Sequence, residues 1–160
     1  FAIENIDVTS GISYQPVALT GRVSHEERRR LRYTIPDLVH AISDAGYTAT
    51  ADWYPLSLVS PISKFISAMR DDPTVHMTCH PHCSMGTYLA IEPGSKRGVP
   101  VTQFIDVEGM FKALDERSVK MANARFKIFQ KAGAFNDLRS FFKPEGAPRG
   151  MDFAKFTRTL

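Results

Sequence analysis

The five residues Cys79-His80-Pro81-His82-Cys83 hold both cysteines of the chain and two of its five histidines. Cysteine thiolate is the ligand of iron–sulfur clusters, and it shares structural zinc sites with imidazole. A C-x3-C spacing lets both sulfurs converge if the chain turns between them. Pro81 disfavours a continuous strand through the loop, because it lacks an N–H and restricts the residue before it. Gly86 adds backbone freedom just beyond. As a cluster site the motif is incomplete. A [4Fe–4S] cluster takes about four protein thiolates, or about three where a substrate or cofactor fills the open iron. Zinc recruiting His80 and His82 would need about four ligands within one short loop, which rarely reaches tetrahedral geometry. Either further ligands come from elsewhere, or the two cysteines are reduced thiols packed as small hydrophobes. A Cys83 nucleophile served by His82 or His76 lacks an orienting third group and an oxyanion site.

Other chemistry is missing. There is no phosphate-binding G-x-x-x-x-G-K-[ST], no G-x-G-x-x-G, no H-E-x-x-H and no serine elbow. At 160 residues the chain is about one domain in length, and 43% hydrophobic residues suffice for a packed core. No run of about 18 apolar residues is present, so no membrane span is expected. Phe1-Ala2-Ile3-Glu4-Asn5 does not read as a secretory signal, and the two cysteines do not make a disulfide scaffold. A reducing cytoplasm is the expected compartment. The net charge of +3 is mild, and nucleic-acid binding is not expected. Its densest basic run is Arg28-Arg29-Arg30-Leu31-Arg32 after Glu26-Glu27. That run reads as a solvated helical turn, with contact to phosphates or lipid headgroups as the alternative.

The elements around the motif read as follows. Residues 12–19 begin with alternating apolar and polar residues and predict a strand ending near Pro16, with a turn at Gly21. Thr34-Ile35-Pro36-Asp37 is a helix start in which Thr34 caps and Asp37 completes a capping box. That helix runs to Ala45 and stops at Gly46, and His40 falls off its apolar stripe. Ser60-Pro61 opens a second helix with Ile62, Phe65, Ile66 and Met69 on one face, ended by Asp71-Asp72-Pro73. Trp53 reads as an aromatic plug between them. Val75–Thr78, Thr87–Ile91 and Val99–Ile105 predict three short strands of one antiparallel sheet, with the Cys-His loop at its end. Asp106 caps a long helix from 107 to 131 that could break near Ser118. Its apolar positions are Phe111, Leu114, Val119, Met121, Phe126 and Phe129. Residues 137–142 predict a further turn, 143–150 a surface linker, and Asp152 the cap of a last helix carrying Phe153 and Phe156.

Taken in order, Ile12-Ser13-Tyr14-Gln15-Pro16-Val17, Gly21-Arg22-Val23, Arg30-Leu31-Arg32-Tyr33-Thr34-Ile35-Pro36-Asp37-Leu38, Asp52-Trp53-Tyr54-Pro55-Leu56-Ser57, Ser60-Pro61 and Thr78 to Leu89 carry a resemblance. The chain resembles the C-terminal portion of archaeal radical S-adenosylmethionine proteins of the tetraether lipid synthase type, from about residue 10 to 160. The resemblance implies an α/β (α+β) fold: the end of a partial (β/α) radical-SAM barrel, then a region of helices and a small antiparallel sheet. Residues 1–50 would be the last barrel strand and helix, 51–142 an auxiliary metal-binding region, and 143–160 a linker and the start of a further helix. Such enzymes cleave S-adenosylmethionine at a [4Fe–4S] cluster held by C-x3-C-x2-C. Here Gly86 stands at the third position. Cys79 and Cys83 would therefore ligate an auxiliary 4Fe–4S cluster completed by upstream cysteines, and Gln15 on the barrel strand would contact the cofactor. The implied activity joins archaeal lipid tails carbon to carbon in the complete protein; this chain alone would be inactive. The implied partners are a lipid substrate or membrane surface and the upstream part of the same protein. The competing reading is a zinc-stabilised, non-enzymatic binding module for an acidic partner.

Overall fold

Asp106 starts the element around which the rest is built. Its Oδ1 accepts the Gly109 N–H at 3.1 Å, satisfying one of the donors a helix leaves free at its start. The computed structural model describes residues 1–75, 80, 82–92, 94–123 and 137–158. Elements are numbered in chain order, and the helix that Asp106 begins is α4, Val107–Asn123. Val107, Met110, Phe111, Leu114, Ser118 and Met121 are buried along it, a stripe at the three- and four-residue spacing that keeps one helix face inward. Helix α3, Ser60–Arg70, lies along that stripe. It buries Phe65 and sets Ile62 and Met69 against the same core. Asp71, in the left-handed region at φ 56°, turns the chain out of α3.

Two shorter helices precede these. Helix α1, His25–Leu31, is capped by Ser24 and buries no residue. Helix α2, Ile35–Asp44, begins at a reciprocal capping box. The Thr34 N–H donates to Asp37 Oδ2 at 2.8 Å, and the Asp37 N–H donates to Thr34 Oγ1 at 3.4 Å. Gly46 leaves α2 at φ +85°, a conformation that glycine adopts without a Cβ penalty.

Strands are few and short. β1, Tyr54–Pro55, pairs antiparallel with β2, Met85–Gly86, in the register Tyr54 to Gly86 and Pro55 to Met85. β3, Leu89–Ile91, pairs antiparallel with β4, Gly98–Pro100. Among the described residues the fold is α+β, with helices and two separate two-stranded ladders.

After α4 the chain returns to the core. Ile105 bridges Phe142, the Asp106 N–H donates to the Phe141 carbonyl at 2.9 Å, and the Lys143 N–H donates to the Phe104 carbonyl at 2.8 Å. The last helix, α5, Phe153–Thr157, is capped by Asp152. Phe104, Phe142, Phe153 and Phe156 meet edge-on or tilted, with ring centroids 6.0–6.4 Å apart. Phe104, Ile105 and Met121 are the most completely buried large side chains.

Several expectations are corrected. Residues 12–19 form no strand. A strand needs a neighbour to take its backbone hydrogen bonds, and none of the described strands lies beside this segment. The single sheet is two ladders, and the strand expected over Val99–Ile105 ends at Pro100, where the chain tightens into a 3-10 turn, Val101–Gln103. Within α4 no break occurs at Ser118, whose hydroxyl donates to the Asp115 carbonyl at 2.7 Å. Val119 is 53% exposed, one residue off the buried stripe and so about 100° around the helix. Residues 143–150 are held on the body rather than free, with Pro148 buried. The Arg149 N–H donates to Glu92 Oε1 at 3.2 Å. Trp53 is half-buried outside the core, its indole N–H donating to Thr48 Oγ1 at 3.1 Å. The expectations for 76–78 and for α4 beyond Asn123, Phe126 and Phe129 included, lie outside the described residues.

Candidate metal centre

The Cys-His loop hangs between two fixed points. On its N-terminal side, the chain leaving α3 is pinned back onto that helix. The Thr74 N–H donates to Ser67 Oγ at 2.9 Å, and the Thr74 hydroxyl donates to the Ser63 carbonyl at 3.0 Å. The Ser67 and Thr74 hydroxyl oxygens lie 2.7 Å apart. On its C-terminal side, the Leu56 N–H donates to the Ser84 carbonyl at 3.0 Å, and the β1–β2 ladder takes over at once.

A tight turn runs through the motif. The Cys83 N–H donates to the His80 carbonyl at 2.8 Å. This is the bend that a C-x3-C pair requires if its sulfurs are to converge. Cys83 is exposed and carries a free thiol. Cys79, the other expected ligand, lies outside the described residues. His80 and His82 are exposed, with ring centroids 5.1 Å apart and planes at 35°. The His82 N–H donates to His80 Nδ1 at 3.3 Å. Among the described residues, no group of three or more His, Cys, Asp or Glu is placed to hold a metal ion.

The strand that pairs with the chain just after the loop is backed by a buried carboxylate. Asp52 is 9% exposed. Its Oδ2 accepts the Ala49 N–H at 2.6 Å, and its Oδ1 accepts the Thr102 hydroxyl. It thereby ties the 3-10 turn before β1 to the turn after β4. Tyr54, two residues on, has its phenol pushed above the ordinary range by burial first, then by Glu108, Asp52 and Asp106, so it remains protonated at neutral pH. The sequence signal was faint: an Asp three residues after Ala49 is a local capping pattern, but its distant partner Thr102 is invisible in one dimension.

Gln15, the candidate cofactor contact, lies exposed on the irregular segment before α1. A groove of about 390 Å³ opens where α3 and α4 end, bordered by Ser67, Asp71, Asp72 and Met121. No described helix is long and apolar enough to cross a membrane.

No family profile matches the chain. It is 31% identical over 158 residues to 7,8-dihydro-6-hydroxymethylpterin dimethyltransferase of Methanocaldococcus jannaschii. The match covers 97% of this chain and 31% of that protein, so the chain spans about a third of the length of the curated relative it matches.

Proposed function

We propose that the chain is the C-terminal part of a radical S-adenosylmethionine enzyme, and that its Cys-His loop supplies Cys79 and Cys83 to an auxiliary 4Fe–4S cluster. The observation that carries this reading is the loop itself. A C-x3-C segment runs between two hydrogen-bonded anchors, with an accessible Cys83 thiol on a tight turn. The donor set fits iron–sulfur ligation in kind, since thiolate is what such clusters take, and it is too small to complete one without cysteines from elsewhere. When bound with S-adenosylmethionine, such centres supply radical chemistry on unactivated carbon.

The chain's own residues would hold and shield the loop. Asp52 fixes the start of β1, β1 fixes β2, and Ser84 ties the loop to Leu56. Ile12, Tyr14 and Val17 are all more than half exposed. In this reading their irregular segment would become the final strand of a partial barrel only by pairing with the upstream part of the same protein, which would bring Gln15 to the cofactor.

The resemblance drawn from the sequence makes joining of archaeal lipid tails the favoured reaction. The activity named for the M. jannaschii relative makes methyl transfer to a reduced pterin the second reading. Anaerobically purified full-length protein is expected to contain iron and sulfide, and Cys79→Ala or Cys83→Ala should lower both. Unchanged iron in both variants would remove these cysteines from the site. Zinc in place of iron would favour the metal-stabilised binding module. Supplying a lipid diether or a dihydropterin with S-adenosylmethionine then separates the two reactions by product.

A further inference from the structure

We infer that helix α1 is a docking surface for anionic phospholipid. Arg22, Arg28, Arg29, Arg30 and Arg32 all lie exposed within a short stretch, and α1 packs none of its residues into the core. No carboxylate lies within 4.0 Å of any of these guanidinium groups among the described residues.

The arrangement of charge around the helix is one-sided. At about 100° per residue, His25, Arg28 and Arg32 fall on one face, and Leu31 lies at its edge between Arg28 and Glu27. Glu26, Glu27 and Arg30 fall on the other. Glu26 is three residues from Arg29 and four from Arg30, and Glu27 is three from Arg30, spacings at which local ion pairing is available. Arg28 has His25 and Arg32 as its helical neighbours and no acid on its own face. Asp37 feels the charge of Arg32, but both Thr34 donors already converge on that carboxylate. A face of like charges repels itself and gains most from an external anion. Guanidinium is the side chain best shaped to grip phosphate oxygens in pairs.

Phospholipid fits better than nucleic acid. Leu31 is 47% exposed at the edge of the Arg28 face, with Glu27 on its other side, and Tyr33 follows at 44%. An aliphatic side chain among arginines gains free energy by entering the headgroup boundary, whereas a nucleic-acid backbone offers it nothing comparable. The inference does not depend on any cluster at the Cys-His loop.

The test is sedimentation of the full-length protein with vesicles of phosphatidylglycerol and phosphatidylcholine, against vesicles of phosphatidylcholine alone. Binding is expected only to the anionic vesicles, and it should weaken as salt rises. Arg28→Gln with Arg32→Gln should reduce partitioning roughly 30-fold, at about fivefold per basic residue near the surface. Leu31→Ser should weaken binding with little change in its salt dependence. Lys112→Gln with Lys143→Gln, on other elements, should leave binding unchanged. Equal binding to neutral vesicles, indifference to the arginine changes, or tighter binding to single-stranded RNA than to anionic vesicles would each overturn the assignment. Circular dichroism of each variant confirms that the exposed substitutions leave the fold intact. Iron content is read separately, so loss of lipid binding cannot be mistaken for loss of the cluster.

Discussion

Removing Asp52 should loosen the strand that pairs with the chain just after the Cys-His loop and measurably destabilise the fold. Its carboxylate is 9% exposed and accepts from the Ala49 N–H and the Thr102 hydroxyl. Hydrogen bonds to a charged group contribute about 1.5–3 kcal/mol each. Asp52→Ala deletes two of them but also relieves the desolvation of a buried charge, so a net loss of about 3 kcal/mol is expected. Thr102→Val removes one donor and leaves the carboxylate with the other, at about 1–2 kcal/mol. The double variant should therefore lose less than the sum, with a coupling of about 1.5 kcal/mol. In a domain of this size Asp52→Ala should lower Tm by about 6–12 °C. Calorimetry or urea unfolding of the four species closes the cycle, and Thr102→Ser should restore most of the stability. A coupling under about 0.5 kcal/mol would refute the view that this contact joins the two turns. In the full-length protein Asp52→Ala should also lower iron retention, because β1 positions the strand that follows Cys83.

Other expectations follow from packing and titration. A Cβ on Gly146 would sit 2.0 Å from the Gln103 carbonyl oxygen, so Gly146→Ala should cost about 2–3 kcal/mol in urea unfolding, as overpacking does. Gly94→Ala meets open space but a φ of +84°, so its cost should be nearer 1–2 kcal/mol, roughly that of a left-handed residue with a Cβ. Phe104→Ala should cost about 3–5 kcal/mol, whereas exposed Val119→Ala should stay within about 0.5 kcal/mol. The Asp37 carboxyl is held below the ordinary range by the Thr34 hydroxyl and then by the Thr34 N–H. A carboxyl with a depressed folded pKa contributes fully above the ordinary carboxylate range and loses its contribution as pH falls through the lower folded value. The first turn of α2 should therefore loosen in acid, followed by its amide exchange, and Asp37→Asn should abolish that pH dependence.

Helix boundaries were legible because their signals are local. Thr34, Pro36, Asp37 and Gly46 bound α2 by hydrogen bonds and backbone freedom within a few residues of chain, and Ser60-Pro61, Asp106 and Asp152 mark their helices in the same way. The α4 stripe was legible for the same reason, apart from Val119, where an apolar residue next to the stripe was read as part of it. The Cys-His motif was visible as chemistry, and the turn through it follows from Pro81 and the short spacing. What one dimension could not decide was pairing. β2 is too short to announce itself, and it forms because the chain after Cys83 meets Tyr54–Pro55, some thirty residues earlier. Residues 12–19 alternate like a strand yet find no partner among the described elements, because a ladder is a property of two segments rather than one. Asp52 with Thr102, Thr74 on α3, and Phe142 against Phe104 likewise join residues far apart in sequence. Side chains at such separation meet only after the core has closed, so the tertiary structure alone determines which polar groups are buried and which loop ends are held.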